Sequence, residues 1–240
     1  MIHINRKTFF IGALLVLGLL STVLVVYFYF DKADTFKQKN AIPQMGQEYE
    51  SVTHASIVSK SAHSSPVTVI YFFAYDCVNS RTMSTKLERW LSSLPSNIEF
   101  EEIPINDGTP QGYYLEKVHY LAQLLDQPKM TYATAALIFK WLYIDQKDLS
   151  DGAVVKNSFI QQGVASSAYE AAQNFPAGIN AYIRRGRSLQ KNYKIQTVPT
   201  VIIGGRYMTN LVMTNNDFNR FFKVMIYLIN TVKKENNQLA

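Results

Sequence analysis

Hydrophobic positions are distributed very unevenly along this chain of 240 residues. The first block, Thr8 to Phe30, carries neither charge nor proline. As a helix rising about 1.5 Å per residue it is long enough to cross a hydrocarbon layer of roughly 30 Å. Its apolar run stays bulky through Val25-Val26-Tyr27-Phe28-Tyr29-Phe30, and Asp31-Lys32-Ala33 is a poor cleavage context. The pattern therefore predicts an uncleaved anchor over 1–30 instead of a removed signal. Arg6 and Lys7 precede the span, which predicts that the bulk of the chain lies outside the cytoplasm. Residues 31–46 are polar, lack a hydrophobic period and contain Pro43 and Gly46, as a linker does.

Beyond the linker the period changes several times. Val67-Thr68-Val69-Ile70-Tyr71-Phe72-Phe73 is apolar on both faces, the signature of a central strand covered on two sides. From Arg81, the residues Met83, Leu87, Trp90, Leu91 and Leu94 mark one face of a helix that stops before Pro95. Residues 97–106, with Phe100, Ile103 and Ile105, read as a second strand, completing a βαβ unit. A helical pattern then runs over about 111–189. Leu115, Val118, Ala122 and Leu125 share one face; Ala133, Leu137, Trp141 and Ile144 share another. Ser167-Ala168-Tyr169-Glu170 fits a capping box. So much helix exceeds a crossover and predicts an inserted helical subdomain. Gly204-Gly205 between two apolar runs predicts a hairpin turn. Asn215-Asn216-Asp217 can cap a last helix whose stripe is Phe218, Phe221, Phe222, Met225, Leu228, Ile229 and Val232. The predicted class is α/β: one domain over 47–240, with strand, helix, strand, helical insertion, hairpin and helix.

Composition narrows the function more by exclusion. Hydrophobic residues make up 48% of the chain, enough for a packed core, and the net charge of +6 is spread along it. No long basic block points to nucleic acid. Arg184, Arg185 and Arg187 read as a solvated helix terminus. The histidines, His3, His54, His63 and His119, show no metal-ligand spacing, and Glu101-Glu102 alternates faces on a strand, so at least one should be solvated. A Cys-His protease would need His119 beside the cysteine, and nothing in the sequence signals that. Neither a metal nor a cofactor is expected.

The single cysteine, Cys77, rules out an intramolecular disulfide. A lone cysteine is by default a buried small hydrophobe. Its position says otherwise, because it follows the central strand and opens the next helix. Unpaired backbone N–H groups and the helix dipole favour an anion there and make a thiol nucleophilic. Ser80, three residues on, can donate a hydrogen bond to a thiolate. Pro199 begins the hairpin predicted to lie beside this helix. A cis bond before it would leave the Val198 backbone free to pair with an extended substrate.

The segment Tyr71-Phe72-Phe73-Ala74-Tyr75-Asp76-Cys77-Val78-Asn79-Ser80, the helical insertion with Tyr169-Glu170-Ala171-Ala172-Gln173-Asn174-Phe175, and Val198-Pro199 before Gly-Gly occur in that order. In these features the chain resembles the thioredoxin fold and, within it, the DsbA family of periplasmic thiol:disulfide oxidoreductases, over about residues 47–235. The resemblance implies that Cys77 is the nucleophile, that Pro199 is the cis proline, and that Val78, Asn79 and Val198 face substrate. Together with the anchor predicted over 1–30, a periplasmic family predicts a single-pass protein of a bacterial inner membrane with its domain in the periplasm. The departures are equally specific. The family's Cys-x-x-Cys, commonly with Pro-His between, reads Cys77-Val78-Asn79-Ser80, so Ser80 stands for the resolving cysteine and Asn79 for the histidine. Asp76 adds a negative charge beside Cys77, which disfavours the thiolate. The acidic residue the family often carries six positions before the cysteine is Tyr71. Dithiol oxidase activity is not expected.

Two functions follow from these residues. One is monothiol thiol–disulfide exchange with cysteine-containing extracytoplasmic proteins. The other is a non-redox binding or assembly module of the cell envelope, which uses the same groove to hold a partner.

Overall fold

The architecture is that of a computed structural model, which describes residues 41–52, 66–92, 95, 97–106, 108–125 and 134–238. The predicted anchor over 1–30, most of the predicted linker, and His3, His54 and His63 lie outside the described residues. Among the described residues no helix is long and apolar enough to cross a membrane. One compact unit spans Pro43–Ala240, so residues 43–46 belong to it, and Gly46 N–H bonds the Tyr49 carbonyl at 2.8 Å.

The centre of this unit is β2, Val67–Phe73. It pairs in parallel with β3, Ile98–Pro104, and antiparallel with β4, Thr200–Ile203. Next come β5, Tyr207–Asn210, and the short β1, Glu50–Ser51, giving the order β1-β5-β4-β2-β3. The two-residue period of a strand divides β2 between two cores. Val67, Val69, Tyr71 and Phe73 enter the larger one, while Ile70 and Phe72 enter the smaller one with Ile202 and Leu189. That division is why the run is apolar at consecutive positions.

Helix α1, Val78–Leu91, links β2 to β3 and begins three residues before the predicted stripe. The insertion comprises α2, Pro110–Leu124; α3, Thr134–Tyr143; α4, Gly152–Gln161; α5, Ser166–Gln173; and α6, Pro176–Asn192. Trp141, Tyr120, Phe159 and Tyr169 of this insertion are buried. Three details differ from the sequence reading. Ala165, not Ser167, stands at the N-cap of α5, and Glu170 instead meets Ser166 at 3.2 Å and Lys156 at 2.7 Å. Ile144 falls one residue past the end of α3 and is exposed, because the helical face it was assigned to has ended. Arg185 and Arg187 are ion-paired, with Glu101 of β3 and Glu116 of α2 respectively, so they bind α6 to its neighbours.

The β4–β5 connection turns on Gly204 and Gly205, at φ +59° and +65°, closed by Arg206 N–H on the Ile203 carbonyl at 3.1 Å. Glycine, with no Cβ, adopts both angles without steric cost. A Cβ on Gly204 would also lie 2.7 Å from Val232 of α7, Phe218–Gln238. That last helix is capped as expected: Asp217 accepts from the N–H groups of Asn219 at 2.8 Å and Arg220 at 3.2 Å.

Candidate active site

The C-terminal end of β2 and the loop before β4 bring Cys77 and Pro199 together. Cys77 is the N-cap of α1, with extended backbone angles, and its side chain makes no capping bond. The first-turn N–H groups that follow it have no intrahelical partner, and no acidic residue sits in that turn. Arg81 N–H closes the first helical bond on the Cys77 carbonyl at 3.0 Å. The thiol is half-buried and donates to the Val198 carbonyl, with a sulfur–oxygen distance of 3.8 Å. The Val198–Pro199 peptide bond is cis. Pro199 is buried, Val198 is half-exposed, and the Val198 N–H has no partner among the described residues. One edge of main chain beside the sulfur is thus open to an extended visitor.

The flanking residues divide sharply. Val78 is exposed at 64%, and Asp76 and Asn79 are exposed as well. Ser80 is not: it is fully buried, and its hydroxyl accepts from the Ala74 N–H at 3.3 Å. This corrects the expectation that Ser80 donates to the sulfur. The first turn of α1 points position 80 inward, so its hydroxyl ties the turn after β2 to the helix.

Beneath the cysteine lies a polar interior that sequence reasoning set aside. Tyr71 donates its hydroxyl to the Ser80 carbonyl at 3.1 Å and lies 3.4 Å from Ser84 Oγ. Burial drives its pKa far up, so it stays neutral. Its register partner on β3 is Glu102, which is also buried. Glu102 Oε2 accepts from the Ala135 N–H at 2.9 Å, satisfying the start of α3 from a distant strand. Burial pushes its carboxyl up to about 7, partly countered by that bond. His119 of α2 is fully buried. Its Nδ1 lies 2.9 Å from Tyr75 Oη, and its Nε2 lies 3.3 Å from the Glu102 carbonyl and 3.1 Å from Gln123 Nε2. Burial lowers it to about 3, so the ring is neutral. His119 forms no hydrogen bond with Cys77, and the arrangement is no Cys-His pair.

A signal for Glu102 was present in the sequence. In the alternation of β3 it shares a face with Ile98 and Phe100, both packed on the larger core, whereas Glu101 shares the other face and pairs with Arg185. Among the described residues no cluster of His, Cys, Asp or Glu is arranged to hold a metal ion.

The chain as a whole is similar to known proteins. No protein-family model matches the chain. Two curated relatives, each named thiol:disulfide interchange protein DsbA, are similar to it. The one from Bordetella parapertussis is 26% identical over 165 residues, covering 68% of this chain and 75% of that protein. The one from Burkholderia cepacia is 26% identical over 185 residues, covering 73% and 80%. Among solved structures, oxidoreductase DsbA from Xylella fastidiosa superposes with a TM-score of 0.65 at 16% identity, covering 81% of this chain and all 100% of that one. DsbA from Pseudomonas aeruginosa gives 0.64 at 16%, covering 80% and 96%. At such identities the structures speak for the fold alone: a thioredoxin-type α/β domain with a helical insertion. The sequence likeness is thus to proteins named thiol:disulfide interchange protein DsbA, and the fold likeness is to solved DsbA structures.

Proposed function

We propose that this protein carries out thiol–disulfide exchange through Cys77 alone, on cysteine-containing proteins outside the cytoplasm. The observation that carries the reading is the half-buried sulfur at the start of α1, 3.8 Å from the carbonyl that precedes a cis proline. Related proteins named for thiol:disulfide interchange supply the chemistry. The expected anchor over 1–30 would hold the domain at the outer face of a bacterial inner membrane.

The steps balance without a second cysteine. The Cys77 thiolate attacks one sulfur of a substrate disulfide. A bond forms between Cys77 and that sulfur, the substrate S–S bond breaks, and the other substrate sulfur leaves as a thiolate. An external thiol then attacks the substrate sulfur of the mixed disulfide, releasing Cys77 and forming a disulfide with the substrate. Val198, with its free N–H, would align the visiting strand, while Val78 and Asn79 flank it. Ser80 and Pro199 would act by position: Ser80 pins the helix start to Ala74, and Pro199 presents Val198. With Ser80 in place, no internal thiol shortens the life of the mixed disulfide.

Long-lived mixed disulfides on Cys77 are therefore expected when intact cells are quenched with acid and their thiols alkylated. Identifying the attached proteins names the substrates. If no adduct forms, in cells or with a purified protein disulfide, thiol exchange is wrong. The domain then holds envelope partners without redox turnover, the reading favoured by the buried, committed Ser80.

A further inference from the structure

A groove of about 660 Å³ opens along the side of α1, facing α3. Its lining includes the apolar Leu137 and Phe139 and the cations Arg81, Lys86, Arg89 and Lys140, against a single carboxylate, Glu88. Lys140 is neutralised by Asp145 at 2.6 Å. Arg81, Lys86 and Arg89 form no ion pair with any described residue. Two of them rest on rings instead: the Arg81 guanidinium lies 4.5 Å from the Tyr143 ring centre, and Lys86 Nζ lies 5.7 Å from that of Phe218. A guanidinium held over a ring without an ion pair retains N–H donors for a carboxylate.

The groove is joined to the main chain around the thiol by two hydrogen bonds. Arg81 N–H is bonded to the Cys77 carbonyl at 3.0 Å, and Tyr143, the ring under Arg81, donates to the Tyr75 carbonyl at 2.7 Å. Its near end is thus one helical turn from the sulfur. From Arg81 to Arg89 the helix advances roughly 12 Å, the span of about four residues of extended chain. Unpaired cations and apolar side chains lining one groove match a strand that alternates acidic and apolar side chains.

We infer that this groove takes an extended acidic segment of the partner protein, lying a few residues from the cysteine presented to Cys77. The inference rests on the thiol-exchange reading for its purpose, but the electrostatics do not need the sulfur. A preference of this kind sorts substrates by the charge beside their cysteine and speeds encounter at low salt.

Fluorescence anisotropy on the full chain tests it with two cysteine-free labelled peptides of about eight residues, one alternating Glu and Leu, the other Lys and Leu. The acidic peptide should bind at least about tenfold more tightly, and the gap should close as salt rises. In the Arg81→Glu/Arg89→Glu protein the preference should vanish; if circular dichroism shows that variant unfolded, Arg81→Gln/Arg89→Gln replaces it and should narrow the gap. Equal binding of the two peptides, or an unchanged preference in the folded variant, overturns the groove. The wild-type reaction of Cys77 with a small uncharged aromatic disulfide is measured separately. If no adduct forms there while the peptide preference holds, the thiol reading fails and the acidic groove stands.

Discussion

Two polar regions lie near the end of β2 and meet opposite fates. At the end of β2, Cys77 keeps its sulfur half-exposed, in contact with one carbonyl and flanked by exposed Asp76, Val78 and Asn79. A layer below, Glu102, His119 and Tyr75 are sealed among Phe73, Phe139 and Tyr71. Both regions are rich in titratable groups. Only the first can meet a substrate; the second is felt as stability and its dependence on pH. A reactive side chain becomes a site when its surroundings leave one face open, and a structural element when they do not.

Removing the sulfur gives the largest contrast. Cys77→Ala should abolish every mixed disulfide, while unfolding by urea shifts by less than about 0.5 kcal/mol, as at other partly exposed positions. A large loss of stability would make Cys77 a core residue after all.

The interior should behave in reverse. The Glu102 carboxyl titrates near 7 in the folded chain against an ordinary 4.5, so the folded state holds the extra proton between those values. Stability should therefore fall as pH rises from about 4.5 to about 7. His119 runs the other way: held at about 3 against an ordinary 6.5, it loses stability as pH falls through that window. Where the windows overlap the two slopes cancel. Glu102→Gln keeps an acceptor for the Ala135 N–H without the charge, so it should gain up to about 3 kcal/mol at pH 8 and nothing below pH 4. A gain that ignores pH would show that the carboxyl is not buried.

Smaller effects probe the link between the regions. Ser80→Ala strips the Ala74 N–H of its acceptor and should cost about 1 to 2 kcal/mol in urea unfolding. Tyr71→Phe removes the donor to the Ser80 carbonyl and should cost about 1 kcal/mol. In both variants the thiol should still form adducts. A Ser80→Ala protein that has lost reactivity but not stability would give Ser80 the direct role at the sulfur that its orientation denies it.

Much of this was legible in the chain. The doubly apolar run 67–73 reads as a central strand because only a strand buried on both faces needs apolar residues at consecutive positions. The stripe of α7, the Gly-Gly turn and the Asp217 cap follow from local rules of period, dihedral freedom and hydrogen bonding. The place of Cys77 between strand and helix follows from them too.

Other features waited for the fold. Whether Ser80 faces the sulfur or the interior depends on how α1 docks on β2. Whether Glu102 is solvated depends on α3 arriving over the end of β3 with an unpaired N–H. The cationic groove exists only because α1 and α3, far apart in sequence, lie side by side. Local periodicity fixes which residues share a face, since a neighbour a few positions away suffices for that. What the face meets is set by distant segments, and there burial, charge and reactivity are decided.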